Sequence, residues 1–428
     1  MVNFSGVKSC EQSYIKLELF YCTHIPLCSL FAGYYLISHE LPAPLMKTML
    51  PRERVLAALD HQEPDRVPTA IGGGPYGIVD DLYLRLVKVL GLGNPVPPFR
   101  SGHSISYMDD RLLDRLGSDI RYCWPGLLPN SPIIPGEEEG TAYDSYGQLW
   151  HRAQPYYYAG EGILKETDNL YDIERLVRWP DLADPRWTAG LAERARFLRE
   201  DTNFFVTMRM VASHGPFQTA CDLRGTENFL MDMALRPEFA QSLLDKITGA
   251  IDGLLRIAMQ SGGKWFDMVE LPGDDYAGNT NLIISPAMFR KFIKPCLARL
   301  IHTVREHNPN TRLMLHSDGA ITSLLPEFLS LGVDVIHPLE PLPATDIPAI
   351  KASYGGKVTF LGGIDISHAM PGSREDVIAD VKRRIRQLAP GGGYILAPAN
   401  HLQADVPPEN VLTLFEAAQE FGKYPLQV

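Results

Sequence analysis

Two hydrophobic periods alternate along most of this chain. Apolar residues spaced three and four apart predict helices at Pro51–Leu59, Met108–Leu116, Trp187–Leu198, Thr226–Ala234 and Pro237–Met259. The same spacing recurs from Ser285 through Ile301, at Ile321–Leu329, Asp346–Ser353 and Arg374–Leu388, and from Pro407 to Phe421. Between them lie short continuous apolar runs of strand length: Arg66–Ile71, Ile120–Trp124, Phe204–Met208, Trp265–Leu271, Arg312–Leu315, Val333–Ile336, Val358–Leu361 and Tyr394–Ala397. Pro295 falls inside the helical pattern after Ser285 and predicts a kink there. Strand and helix in regular alternation predict a parallel sheet. About eight such units fit after Met49, and a closed (β/α)8 TIM barrel in one domain, residues 49–428, leaves no sheet edge exposed.

The clearest unit is residues 312–340. The run Arg312–Leu315 ends on His316-Ser317-Asp318-Gly319, a helix follows, Gly332 stops it, and Val333 begins the next run. In parallel barrels the chemistry sits where strands end and loops begin, which is where His316 and Asp318 fall. A capping aspartate and a buried histidine are the plain alternative for this pair. Other run ends supply Glu270, Asp274 and Asp275, then His337 and Glu340, then Asp365, and finally Asn400 with His401. In a barrel these would face one mouth. Imidazoles and carboxylates meeting there can hold a divalent, zinc-like metal or form an organic acid/base site. The spacing is no compact metal signature, so the case rests on the coincidence of many strand ends.

Two stretches break the alternation. Gly72-Gly73-Gly74 closes the first run; with no Lys-Ser/Thr after it, it reads as backbone that must pass close to something. Residues 142–166 carry Tyr143, Tyr146, Trp150, Tyr156, Tyr157 and Tyr158 between turn residues. They predict an aromatic-rich hairpin excursion, either a wall or lid of a pocket or a plain outer hairpin.

Residues 1–48 read as an N-terminal extension, peripheral, disordered, or translated ahead of a start at Met49. Leu17–Ile37 is mostly apolar, but Glu18, His24 and Pro26 interrupt it and no cleavage site follows, so no stable membrane association is expected. Across 428 residues the hydrophobic share is 45% and the net charge −11, with no basic block, which argues against nucleic acid as a partner. The six cysteines form no CxxC pair, so a disulfide framework or a four-cysteine zinc site is not expected, and a cytoplasmic setting is.

Several segments together resemble the uroporphyrinogen decarboxylase superfamily, which includes corrinoid-linked methyltransferases: PRERVLAALDHQEPDRVP, IISPAMFRKFIKPCLARLI, HSDGAI, LGVDVIHPLEP, LGGID and LAPGGGYILAPANHLQADVPPENVL. The resemblance runs from about Met49 onward and implies a (β/α)8 barrel with a funnel-shaped site at the strand ends. The decarboxylases carry an arginine-rich loop after the first strand; here Gly72-Gly73-Gly74-Pro75-Tyr76 stands there. Arg121-Tyr122-Cys123-Trp124 stands near the place of their substrate aspartate, and Asn400 at that of their late histidine.

The methyltransferase branch holds zinc with a His-x-Cys pair and a later Cys. His316 matches the histidine, Asp318 replaces the first Cys, and Asn400 stands near the second. The resemblance therefore implies His316, Asp318 and Glu270 as metal ligands, with zinc, and Asp274, Asp275 and His401 as substrate-orienting or proton-moving groups. Arg121, Tyr122, Trp150, Glu340, Asp365 and Asn400 are expected to touch substrate.

The implied activity is methyl transfer between a small methylated donor, a methoxy or methylamine compound, and a corrinoid carried on a separate partner protein. Two rivals stand beside it. One is decarboxylation of uroporphyrinogen or another acidic substrate, with Arg121, Arg209 and Arg224 as scattered cationic contacts. The other is a non-catalytic ligand-binding barrel. A homodimer is one assembly this reading admits.

Overall fold

A computed structural model describes residues 48–153 and 156–427. The extension expected over residues 1–48 therefore lies, except for Thr48, outside the described residues. The barrel forms because each apolar run can bury both faces only between a ring of helices and a filled interior. Its regular strands are β1 (Ile120–Cys123), then, after an excursion, β6 (Phe205–Met208), β7 (Met268–Glu270) and β8 (Arg312–His316). β9 (Val335–His337), β10 (Thr359–Ile364) and β11 (Tyr394–Pro398) follow. All seven are parallel and stand side by side in chain order.

The eighth position belongs to the first predicted run, which bridges the two ends of that sheet. Ala70 N–H donates to Leu396 O and Leu396 N–H to Pro68 O on one side, while Asp119 N–H donates to Thr69 O on the other. Pro68 can donate no ladder bond, which explains why this segment closes the cylinder through isolated bridges rather than as a full strand. Asp119 reinforces the joint. Its buried carboxylate accepts from Thr69 N–H, from both terminal nitrogens of Arg66 and from Arg54.

The excursion is larger than a hairpin. β2 (Ile134–Pro135), β3 (Thr141–Tyr143), β4 (Leu149–Ala153) and β5 (Tyr156–Ala159) form a separate four-stranded antiparallel sheet. Asp144 organises it: its carboxylate accepts from Tyr146 N–H, Gln148 N–H and the indole of Trp150. The kink expected at Pro295 is resolved one turn earlier. Phe289–Ile293 winds as a π-helix before α-helix resumes at Lys294–His307, so the proline sits in a first turn, where its missing N–H is tolerated.

Candidate active site and metal group

The strand C-termini open into a cavity of about 400 Å³ bordered by Asp275, His316, Asp318, His401, Arg100 and His214, among others. Backbone without side chains brings its wall together. A Cβ on Gly74 would stand 2.7 Å from Glu270 Oε2, and one on Gly273 would stand 2.7 Å from the His316 ring. The triglycine is thus the close approach its composition predicts.

His316 and His337 are register partners on adjacent parallel strands, which places the two imidazoles at one level. Their Nδ1 atoms lie 2.9 Å apart, and His337 Nε2 lies 3.3 Å from Pro398 O. A carbonyl can only accept, so Nε2 of His337 carries its proton and Nδ1 accepts. His316 Nδ1–H must then be the donor, leaving the Nε2 lone pair free. Burial lowers the pKa of both rings and favours these neutral forms.

That free Nε2 lies 3.9 Å from Asp275 Oδ1 and 3.9 Å from Asp318 Oδ2. One donor atom from each of these three residues falls within 4.8 Å of the others, the one such group of three among the described residues. Asp318 Oδ2 accepts from the Asn400 side chain, whereas its Oδ1 is buried without a partner. Burial, and then repulsion from Asp275 and Glu340, raises the Asp318 pKa well above the carboxylate range. A metal-directed imidazole lone pair, an orphan carboxylate oxygen and mutually repelling carboxylates fit a divalent cation.

The other expected residues separate. Glu270 is fully buried and accepts from Gly74 N–H and Tyr76 Oη, which places it outside the metal group; Asp275 stands in its stead. Asp274 lies beneath the cavity floor, accepting from Phe217 N–H, Gln218 N–H and Tyr276 Oη at the start of the helix Pro216–Arg224. Arg121 was expected at the substrate but turns the other way. It lies over Phe204, donates to the Ser118 and Ile120 carbonyls and pairs with Asp114. Arg224 likewise pairs with Asp232, far from solvent. Tyr122 is buried against Tyr76, behind the triglycine. Glu340 fixes the turn by accepting from Gly319 N–H, and with Asp365 it borders a different cavity. Asp365 accepts from Ser367 and His368 N–H groups, a local cap.

His401 does reach the cavity. Its Nδ1 accepts from Gly77 N–H, so the neutral ring carries its proton on Nε2; burial, with Arg100 and Arg209 nearby, holds its pKa well below the usual value. A second chamber of about 200 Å³ adjoins, sharing His103, Ser213, His214 and His401 with the first. Trp150, Tyr156 and Tyr157 form its aromatic wall, which settles the excursion as a wall.

Sequence reasoning missed His214, His103 and Arg100. His214 lies 2.8 Å through Nδ1 from Asp222; burial alone would lower the imidazole pKa, but the attraction and hydrogen bond of Asp222, with Asp274 and Asp275 beyond it, together raise it. Its signal was present: Ser213-His214-Gly215-Pro216 stands between a strand end and a helix, as His316-Ser317-Asp318-Gly319 does. Arg100 and His103 sit in an aperiodic loop that no pattern flags.

Asp144, which holds Trp150, is pushed up to about 7 by burial, against the pull of its three donors. A folded-state pKa above the unfolded 3.8 contributes stability below about pH 4 that is lost as pH rises through 7. The melting-temperature gap between wild type and Asp144→Asn should therefore shrink between pH 5 and pH 8. A gap that widens with pH would contradict the assignment.

Such a mouth, with imidazoles and carboxylates on a parallel barrel's strand ends, defines a barrel with an acid/base and metal-competent centre. The uroporphyrinogen decarboxylase (URO-D) family profile matches residues 163–421, more than half of the 428, and the chain belongs to that family. Uroporphyrinogen decarboxylase 2, chloroplastic, of Oryza sativa subsp. japonica is 25% identical over 239 residues, covering 54% of this chain and 57% of that protein. The chloroplastic uroporphyrinogen decarboxylase of Zea mays is 26% identical over 239 residues, with 54% and 57% covered. The chain spans about half the length of the curated relatives it matches. Among solved structures, a methyltransferase from Methanosarcina mazei shares the fold with a TM-score of 0.61 at 19% identity, covering 87% of this chain and 99% of that one. No helix among the described residues is long and apolar enough to cross a membrane.

Proposed function

We propose that this barrel catalyses metal-assisted methyl transfer between a small methylated donor and a corrinoid carried by a separate protein. The observation that carries the reading is the group Asp275, His316 and Asp318, with the His316 Nε2 lone pair freed by His337. The methyltransferase fold neighbour and the resemblance of His316-Ser317-Asp318 to a His-x-Cys zinc pair support it.

Asp275, His316 and Asp318 would hold zinc, which when bound supplies Lewis acidity at the donor's heteroatom. Asn400 keeps Asp318 oriented. His214, raised in pKa by Asp222, holds a proton that the departing heteroatom can take as the methyl group leaves. His401 offers a neutral Nε2–H at the junction of the two chambers. The aromatic wall at Trp150, Tyr156 and Tyr157 limits water.

The named relatives favour a second reading, uroporphyrinogen decarboxylation. Among the described residues, Arg100 borders the main cavity and Arg209 only the recess beside it, few cations for an octa-acid.

The test is zinc-reconstituted protein mixed with cob(I)alamin and a panel of methoxyaromatic and methylamine donors, followed by cobalamin absorbance. Stoichiometric zinc and donor-dependent methylation are expected. Protein that takes up no zinc and methylates nothing, while converting uroporphyrinogen to coproporphyrinogen, would overturn the proposal in favour of the decarboxylase.

A further inference from the structure

Beside the triglycine, a side recess of about 30 Å³ opens next to the main cavity and shares Gly74, Arg100, Met210 and Ser213 with it. Its walls are apolar, with Phe99, Trp124, Leu127 and Leu128 among them. Two guanidinium groups sit in it. Arg209 is 3% exposed and spends one nitrogen, Nη2, on Gly73 O at 3.1 Å. Its Nε and Nη1 are buried with no hydrogen-bond partner, and the Ser213 hydroxyl is in the same state. Arg100 donates to Ile105 O and approaches His103 Nδ1. Both cations lie against one ring, 5.0 and 4.9 Å from the centre of Phe99.

Such an arrangement is costly as it stands. Unpaired buried donors lose their hydration with nothing in return, and two like charges repel in a low-dielectric recess. The repulsion is visible in Arg100, whose pKa falls well below normal through burial and then through Arg209. Carboxylates are near but not in contact: Glu270 attracts Arg209, and Asp80 attracts Arg100, without an ion pair to either guanidinium among the described residues. Glu270 is committed to Gly74 N–H and Tyr76, and Asp80 to Ser106 N–H.

We infer that the substrate is a small carboxylic acid whose carboxylate enters this recess, accepting from Arg209 Nε and Nη1 and from Ser213. Arg100 adds charge from across Phe99. The recess is small and walled by apolar side chains, which suits the oxygen pair and apolar stem of a carboxylic acid better than a strongly hydrated phosphate. The rest of such a molecule extends into the cavity toward Asp275, His316 and Asp318. The inference rests on the proposed methyl-transfer site in naming the substrate class of that site; the anion-binding step itself requires no metal.

Benzoate is the probe, with benzamide as its neutral isostere and inorganic phosphate as the competing anion, titrated calorimetrically into the full-length protein. Wild type should bind benzoate saturably, at least tenfold more tightly than benzamide, with no competition from phosphate. Arg209→Gln should weaken benzoate at least tenfold, and Arg209→Lys, which keeps the charge but not the planar fork, should fall between. Should Arg209→Gln fail to fold, Arg209→Lys and the benzamide comparison carry the test. Equal binding of benzoate and benzamide, tighter binding of phosphate, or unchanged benzoate affinity in a folded Arg209→Gln protein would overturn the inference. His316→Ala separates the two claims: it should lose zinc and keep benzoate binding. Wild type that binds benzoate but takes up no zinc when offered it sinks the metal reading alone, and wild type that takes up zinc but binds no benzoate sinks this one alone.

Discussion

His316→Ala should hold no stoichiometric zinc and should show no methyl transfer above background. The side chain supplies the nitrogen among the three donor groups, and its Nε2 is the atom both carboxylates approach at 3.9 Å. Alanine leaves Asp275 and Asp318 facing each other with only oxygen donors, which suit zinc less well. The loss in affinity should exceed the roughly 10–100-fold that removal of an outer-sphere partner costs. His337→Ala provides that smaller figure within the same protein. It removes the acceptor that fixes the His316 tautomer while leaving all three donor groups in place. Zinc competition against a chromophoric chelator measures both. His316→Ala protein that competes as well as wild type would refute the assignment of the centre. An ordinary melting curve for the variant shows that the barrel survives, because His316 lies at a strand end rather than in the packed core.

Asp119→Ala should produce the largest loss of stability of any single polar substitution considered, about 3–5 kcal/mol, the range for breaking a buried ion pair from one side. The carboxylate is 1% exposed and takes hydrogen bonds from Arg54, Arg66 and Thr69 N–H. Removing it strands the buried Arg54 with Asp65 as its one remaining anion among the described residues and loosens the joint where the first segment meets β1. Asp119→Asn should cost less, since one oxygen can still accept. In urea, the midpoint should fall with an unchanged slope, as expected when the fold is weakened but not altered. A midpoint loss equivalent to less than about 1 kcal/mol would show that Arg54 and Arg66 find other partners at little cost.

Several features were open to local reasoning. Apolar runs at Phe205–Met208, Arg312–His316 and Tyr394–Pro398 form strands because both faces are covered, and a continuous run shows that without any neighbour's help. Gly332 and Gly319 take positive φ, where glycine is the residue with no steric objection. His316 and Asp318 were legible as candidates for the same reason: they follow a run's end, and a barrel turns every such end toward one mouth.

Chain order could not reveal which of those ends share an atom-scale site. Glu270 ends β7 and Asp275 lies just beyond it, yet Gly74 and Tyr76, almost 200 residues earlier, claim the first and leave the second to His316. Arg121 and Arg209 both belong to barrel strands or their ends, but one turns to Asp114 at the strand N-termini and the other into the recess. Period and composition report what each segment must bury, because hydrophobicity is a local property of the side chain. Hydrogen-bond partners and charge neighbours are set across the cylinder, by strand register and by which loop comes near, and only the closed barrel decides them.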